Sequence, residues 1–475
     1  MVLQQQDVVD AFHEYIFNEI PSRLIYVPEM KMVGREYVKD YFQDEMESHI
    51  PSLMYGDIDV QLKRIVKYTI LSHRWLPKGE PTFQELSDGV PLEGAGAEKL
   101  DVFCEKTVEY DCVFAWVDTC CINKSNSSEL DEAIRSMFRW YRNSHMCIAY
   151  LAHSSSIDDL SKDPWFTRGW TLQELLAPTS MKFFGMGWIP LSDNKDDKWE
   201  HAGHTSTILG PISTITNIPR DQVRWYQPGL EGITQKLSWV SGRRTTRVED
   251  IAYSLVGMLD ISLMIAYGEG HRAFFRLMET IIENTSDCEI FGWKGKTSAY
   301  CSALPAAPSC YPREAREHWG RRGRNYGDSD FTLANGKFRI KVLLVPMEGK
   351  SKKEGAGGST VFTFTDPNHT IQDVTVVFGD GLRKSEVDDY QTSNLALGIL
   401  DYSNEGGKGV LQHKSRDPYI AFLLTPYDGE WRKMETENLI EVVPQTEIKK
   451  ELTALRLGQW SAKILEKTAY TRQLY

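Results

Sequence analysis

No apolar run in this 475-residue sequence approaches the roughly 18 residues needed to cross a bilayer, so a helical membrane span is not expected. Positive charge is not in excess. The formal net charge is −12, which argues against a general nucleic-acid binder, since that needs a basic footprint to displace counterions. No C-x-x-C occurs among the eight cysteines, Cys104, Cys112, Cys120, Cys121, Cys147, Cys288, Cys301 and Cys310. They are too sparse for a disulfide framework and read as reduced thiols of a cytosolic protein. Cys112, Cys121 and Cys147 sit in or beside apolar runs, where thiols act as small core residues. The amino terminus lacks the basic and apolar stretches of a secretory signal. There is no P-loop, hence no nucleotide-driven assembly engine, and no internal repeat.

What is present is an ordinary globular composition, 41% hydrophobic and 25% charged. The length suggests about two to three domains. Residues 1–67 read as a helical lead-in, with Val8, Val9, Phe12, Tyr15 and Ile16 at helical spacing. Strand candidates follow at 68–72, Val113–Val117, Cys147–Leu151 and Met181–Phe184. Helices are expected over about 97–110 and 129–142, the latter capped by Ser128, striped by Leu130, Ile134, Met137, Phe138 and Tyr141, and carrying an Asp131–Arg135 pair. Alternating strands and helices predict a parallel sheet wrapped by helices. From 190 to 293 the pattern is mainly helical, with its best helix at 271–284. Beyond Trp293 it turns β-rich. Asn335-Gly336 marks a hairpin, with further strands at 359–365, 373–378, 418–425 and 437–443 and loops at Gly349–Gly358 and Ser403–Gly409.

In a parallel sheet, residues just past the carboxyl ends of the strands line the ligand crevice. Here those positions hold Ser72-His73-Arg74-Trp75 and Asp118. A short helix after the third strand carries Trp170 and Glu174 one turn apart. Leu172, Leu175 and Leu176 cluster on its other side, so Trp170 and Glu174 are expected either to face solvent or to line a cleft.

YTILSHRW, VFAWVDTCCINK, ELDEAIRSMFRWYRNSHMCIAYL, WFTRGWTLQELLAP, RRTTRVEDIAYSLVGMLDI and AYGEGHRAFFRLMETI occur in order over roughly 68–293. They resemble successive blocks of the fungal heterokaryon-incompatibility (HET) domain. That resemblance implies a role in regulated cell death triggered by non-self recognition. The HET domain is in turn similar to Toll/interleukin-receptor (TIR) domains, some of which cleave NAD at the nicotinamide–ribose bond. The resemblance therefore implies a HET domain over 68–293, with a TIR-like, flavodoxin-like parallel sheet over 68–190 and a helical extension over 191–293. Residues 294–475 carry no such resemblance and are read from their strand pattern alone as a β-rich carboxyl-terminal domain. It implies Glu174 as the catalytic carboxylate and Asp118 as a matching strand-end position. NAD enters as a substrate; no cofactor or metal is implied.

The surrounding residues carry two readings each. Arg74 and Arg168 are placed to meet phosphate, yet Arg168 has Asp163 and Asp118 as internal partners. His73 and Trp75 are placed to stack on a ring, or to be a backbone-bonded histidine and a core plug. Asp118 either touches substrate or fixes a turn. Cys120 lies on the same rim, but no base is identifiable beside it. Weaker signals are His201-x-x-His204, which lacks a third ligand, and Gly268-Glu269-Gly270, read as a tight turn into a helix. The basic clusters at Arg243–Arg247 and Arg321–Arg324 favour solvated loops or salt bridges. Three functions stay open: NAD glycohydrolysis, a non-catalytic module acting by self-association, and a metabolic enzyme on a recruited fold. None involves nucleic acid or a membrane.

Overall fold

Val8, Phe12, Tyr15 and Ile16 recur at helical spacing, and all four are buried along α1 (Gln5–Asn18). The computed structural model describes residues 4–200, 206–311, 331–334, 337–379, 395–400, 402–405, 408–412, 418–427 and 430–457. Two compact units emerge, residues 1–229 with 243–265 and residues 230–242 with 266–475. The hairpin tip Asn335-Gly336, the His201-x-x-His204 pair and the Arg321–Arg324 cluster lie outside the described residues.

In the first unit α1 leads into β1 (Arg23–Tyr26) and β2 (Lys31–Gly34), two strands that the helical reading of 1–67 did not contain. They turn at Met30, whose φ of 47° is left-handed. Next come α2 (Arg35–Leu53), α3 (Ile58–Ile65), β3 (Thr69–His73), α4 (Phe83–Ser87), α5 (Ala95–Glu109), β4 (Phe114–Trp116), α6 (Ser127–Asn143), β5 (Met146–Tyr150), α7 (Thr171–Leu176) and β6 (Met181–Phe184). The sheet runs β2-β1-β4-β3-β5-β6. β4, β3, β5 and β6 are parallel, whereas β1 is antiparallel to both β2 and β4. The sheet is therefore mixed, a correction to the all-parallel expectation. Every residue of β3 and β6 is buried, as befits parallel strands covered on both faces.

α6 buries Ile134, Met137, Phe138 and Tyr141, and Arg135 pairs with Asp131 at 3.0 Å on its wet side. Its cap is Asn126, whose side chain accepts from the N–H groups of Ser128 and Glu129, rather than Ser128 itself. Three further helices, α8 (Leu209–Thr216), α9 (Arg220–Arg224) and, after α10 (Ile233–Val240) of the second unit, α11 (Asp250–Tyr253), complete the helical part here.

The second unit holds α10, α12 (Arg272–Asn284) and twelve described strands. Gly268 and Gly270 both have positive φ just before α12, consistent with a tight turn there. β7 (Phe331–Ala334) and β8 (Lys337–Glu354) pair with Ala334 opposite Lys337, the hairpin expected around Asn335-Gly336. β8 runs on through Lys350, where the expected loop at 349–358 would have begun. A register shift between Gly349 and Ser351 keeps it paired with β9 (Thr360–Thr365). β10 (Val374–Phe378), β11 (Leu395–Ile399), β12 (Ser403–Glu405), β13 (Lys408–Leu411), β14 (Tyr419–Tyr427), β15 (Glu430–Lys433), β16 (Ile440–Val442), β17 (Ile448–Glu451) and β18 (Thr453–Leu457) follow. The expected loop at 403–409 is instead the hairpin of β12 and β13. Strands β8, β11, β14, β15 and β18 pair in sequence, and β18 pairs back onto β8, closing a ring. No helix among the described residues is long and apolar enough to cross a membrane.

Candidate functional site

Among the parallel strands the order is second, first, third, fourth. The chain reverses its direction of growth beside β3, so a switch point lies beyond the carboxyl end of that strand. The register of β3 on β4 sets Ile70 opposite Trp116, and continuing it past the last pair brings Ser72 and His73 level with Asp118. The link from β5 passes through a 3₁₀ turn (Pro164–Thr167) and returns as α7 over this edge.

The return is fastened from two sides. Asp163 is buried and caps the 3₁₀ turn, accepting from Trp165 N–H at 2.9 Å and also from His153 N–H and Ser154 Oγ. From the other side, residues 243–245 lie along 167–169 as a short parallel bridge: Gly169 N–H donates to Arg244 O and Arg244 N–H to Thr167 O. Arg243 is buried and donates from Nη1 to Arg168 O at 2.8 Å and to Thr171 Oγ1 at 3.0 Å. Thus Arg243, expected in a solvated loop or a salt bridge, is buried and braces the start of α7. Gly169 is needed where this brace docks, because a Cβ there would lie 2.4 Å from Thr245 Cγ2.

All six residues of α7 are buried, so the helix has no solvent face and Glu174 is enclosed at 6% exposure. Its Oε2 accepts from Ser72 Oγ, which in turn accepts from the indole Nε1–H of fully buried Trp165 at 2.9 Å. Oε1 has no hydrogen-bond partner among the described residues and is not one of the fully shielded unpaired atoms. One oxygen is held and the other is open. Burial pushes the carboxyl up to about 8; the Ser72 hydrogen bond opposes this, the charge of Asp118 adds to it, and Arg168 and Arg243 pull it down.

Asp118 is the complement. Oδ1 accepts from His73 Nε2 at 3.0 Å and Oδ2 from Trp75 Nε1 at 2.8 Å. Burial alone would raise it, but these hydrogen bonds, with Lys124 nearby, hold it at about 2. His73 is buried and its imidazole lies below its ordinary range for the same reason, so at neutral pH the contact is a hydrogen bond from Nε2–H rather than an ion pair. Its Nδ1 is shielded without a hydrogen bond, 4.0 Å from Glu80 Oε1, and Glu80 is ion-paired with Lys99. Two carboxyl groups with oppositely displaced affinities for a proton thus share one sheet edge, the arrangement by which sites assign acid and base roles.

The structure brings Ser72, His73, Trp75, Asp118 and Glu174 together. Trp75 is 39% exposed, with Lys124 Nζ 4.4 Å over its ring. Arg74 is exposed, Arg168 and Trp170 are half-buried, and Cys120 is wholly buried. A cavity of about 630 Å³ lies elsewhere, along the outer strand β2 and the 86–92 segment, and none of its lining residues is a predicted site residue. Sequence reasoning missed Trp165, Arg243 and Glu80 as neighbours of this edge. For the first two the signal was at hand, since each falls inside one of the recognised blocks. No group of three or more metal-ligating side chains occurs among the described residues.

Fold and site together define an α/β protein with a paired-carboxyl edge at the switch point of a mixed sheet. Residues 68–159 match the family described as heterokaryon incompatibility protein (HET). The chain therefore contains a HET domain in this region. It is 39% identical over 236 residues to vegetative incompatibility protein HET-E-1 of Podospora anserina, a match covering 47% of this chain. The chain spans only 17% of the length of that relative. No solved structure matches significantly.

Proposed function

We propose that the HET unit cleaves the nicotinamide–ribose bond of NAD, in the service of non-self recognition and regulated cell death. The observation that carries this reading is Glu174, a carboxyl 6% exposed, with Oε2 held by Ser72 and Oε1 open, on the carboxyl edge of β3. The order of the four parallel strands supports a TIR-like core.

The bond to be broken joins ribose C1′ to a cationic pyridinium nitrogen. The bonding electrons leave with that nitrogen, so nicotinamide departs neutral and needs no acid. Water adds at C1′ and gives its proton to solvent. The barrier is positive charge on the sugar, as in glycoside hydrolysis. An ionised carboxylate in a partly dry crevice offsets that charge. Glu174 is mainly protonated at pH 7 in the free protein. A cationic ring arriving beside it favours the ionised form, so binding and ionisation reinforce each other.

The test is nicotinamide release from NAD by the purified chain, compared with Glu174→Gln. The expected loss is about 10²–10³-fold, with thermal melting showing the variant folded. Equal turnover by the variant removes Glu174 from the mechanism. Absence of turnover at every concentration, with concentration-dependent assembly in light scattering, favours the self-association module instead. A thermal shift with metabolites other than NAD would favour the metabolic enzyme.

A further inference from the structure

Arg168 has a braced backbone and, among the described residues, a side chain without a partner. Its N–H donates to Trp165 O, and its C=O accepts from Arg243 Nη1 at 2.8 Å. Its peptide is thus fixed at both ends, while among the described residues the guanidinium makes no hydrogen bond and no ion pair. The nearby acids are committed elsewhere in all but one oxygen, Oε1 of Glu174. Asp163 is buried against His153, Ser154 and Trp165. Both oxygens of Asp118 are taken by His73 and Trp75, and the Oε2 of Glu174 by Ser72.

The charge of Arg168 reaches Glu174, and it also reaches buried Lys99 across the same edge. Lys99 is satisfied by Glu80, and Arg243 by the carbonyl of Arg168 and by Thr171. Arg168 therefore has guanidinium donors to spare on a backbone held at both ends. Five N–H donors in a planar fork suit the oxygens of a phosphate. A half-buried, unpaired guanidinium gives up hydration without a partner in return until an anion arrives.

We infer that Arg168 anchors a phosphate of the ligand, so that the crevice takes a phosphate-bearing nucleotide and discriminates against the corresponding nucleoside. This rests on the reading of the crevice as a nucleotide site. It adds which residue reads the phosphate, and it separates binding from bond cleavage, since Arg168 holds the ligand while Glu174 faces the sugar.

The experiment uses the full chain and calorimetric titration with inorganic pyrophosphate, with nicotinamide riboside as the ligand lacking phosphate. The wild type is expected to bind pyrophosphate, and Arg168→Gln to lose at least about tenfold in affinity, as for a lost charge-assisted pair. Arg168→Lys recovers part of it, and affinity for nicotinamide riboside stays unchanged in both variants. Because no side-chain hydrogen bond of Arg168 is removed, the ligand-free melting temperature of Arg168→Gln should be no lower than that of the wild type. Failure of the wild type to bind pyrophosphate, or equal binding by Arg168→Gln, overturns the assignment. Arg168-dependent binding without nicotinamide release leaves the assignment standing and sinks the glycohydrolase reading alone.

Discussion

The hydroxyl of Ser72 donates to Oε2 of Glu174 across 102 positions of sequence, joining the first parallel strand to the helix that follows the third. Ser72 is itself fully buried and bonded on its other side by Trp165. That makes it a positioning residue for the carboxyl, not a group able to reach a ligand.

Ser72→Ala removes the hydrogen bond that favours ionised Glu174 and leaves the Trp165 indole N–H unpaired. The carboxyl should hold its proton to higher pH, moving the inflection of kcat/KM for nicotinamide release upward, measured as a pH–rate profile. Folding stability should fall by about 1–3 kcal/mol, the usual cost of an orphaned buried donor. A profile that does not move would mean Ser72 has no hold on the carboxyl.

Glu174 also predicts a pH dependence of stability. In the unfolded chain it ionises near 4.5, whereas in the native fold it stays protonated up to about 8. Between those values the native state binds more protons, so stability from this group is full below about 4.5 and is lost as pH rises through 8. Glu174→Gln cannot titrate. The melting temperature of the variant relative to wild type should therefore rise from pH 5 to about pH 8 and then level off.

Gly169→Ala should destabilise the first unit by about 1–3 kcal/mol, because its methyl group would overpack against Thr245 Cγ2. Thr245→Ser removes that methyl and keeps the hydroxyl that donates to Arg247 O. The double variant should regain most of the loss in urea unfolding. Without such rescue, the 243–245 brace is not what requires glycine at 169.

Lys433, in the second unit, is a buried amine 3.4 Å from the centroid of the Trp293 ring, and its hydrogen bond to Met434 O is long at 3.4 Å. Burial pushes it down to about 7 from 10.5. The unfolded chain thus binds more protons between those values, and stability rises with pH across that window. Lys433→Met should stabilise the protein at pH 7 by roughly 1–4 kcal/mol, an advantage that shrinks towards pH 10. Denaturant melts at both pH values would check it.

Much of the frame was legible because local pattern and burial coincide. The strands at 69–73 and 181–184 follow from short apolar runs, while the α6 stripe with its Asp131–Arg135 pair and the α12 helix follow from side-chain period, which the backbone geometry sets. The HET blocks pointed to Glu174 on the helix after the third parallel strand and to Asp118 past the second, and in the fold Glu174 meets Ser72 and Asp118 meets His73. The β1–β2 hairpin was not legible. In β1 the two buried residues, Leu24 and Ile25, are consecutive, so four residues show no alternation.

The residue types at the crevice, and the period that folds them into strand and helix, were written in the chain itself. Which neighbours they would have was not. A 100° wheel puts Glu174 opposite three leucines, yet cannot say that a strand and the 243–245 brace would close over that side. Only packing between distant segments enclosed Glu174, occupied Asp118 twice and left Arg168 unpaired among the described residues. Local spacing fixes direction along one element, whereas burial and charge pairing depend on what long-range contacts bring opposite it.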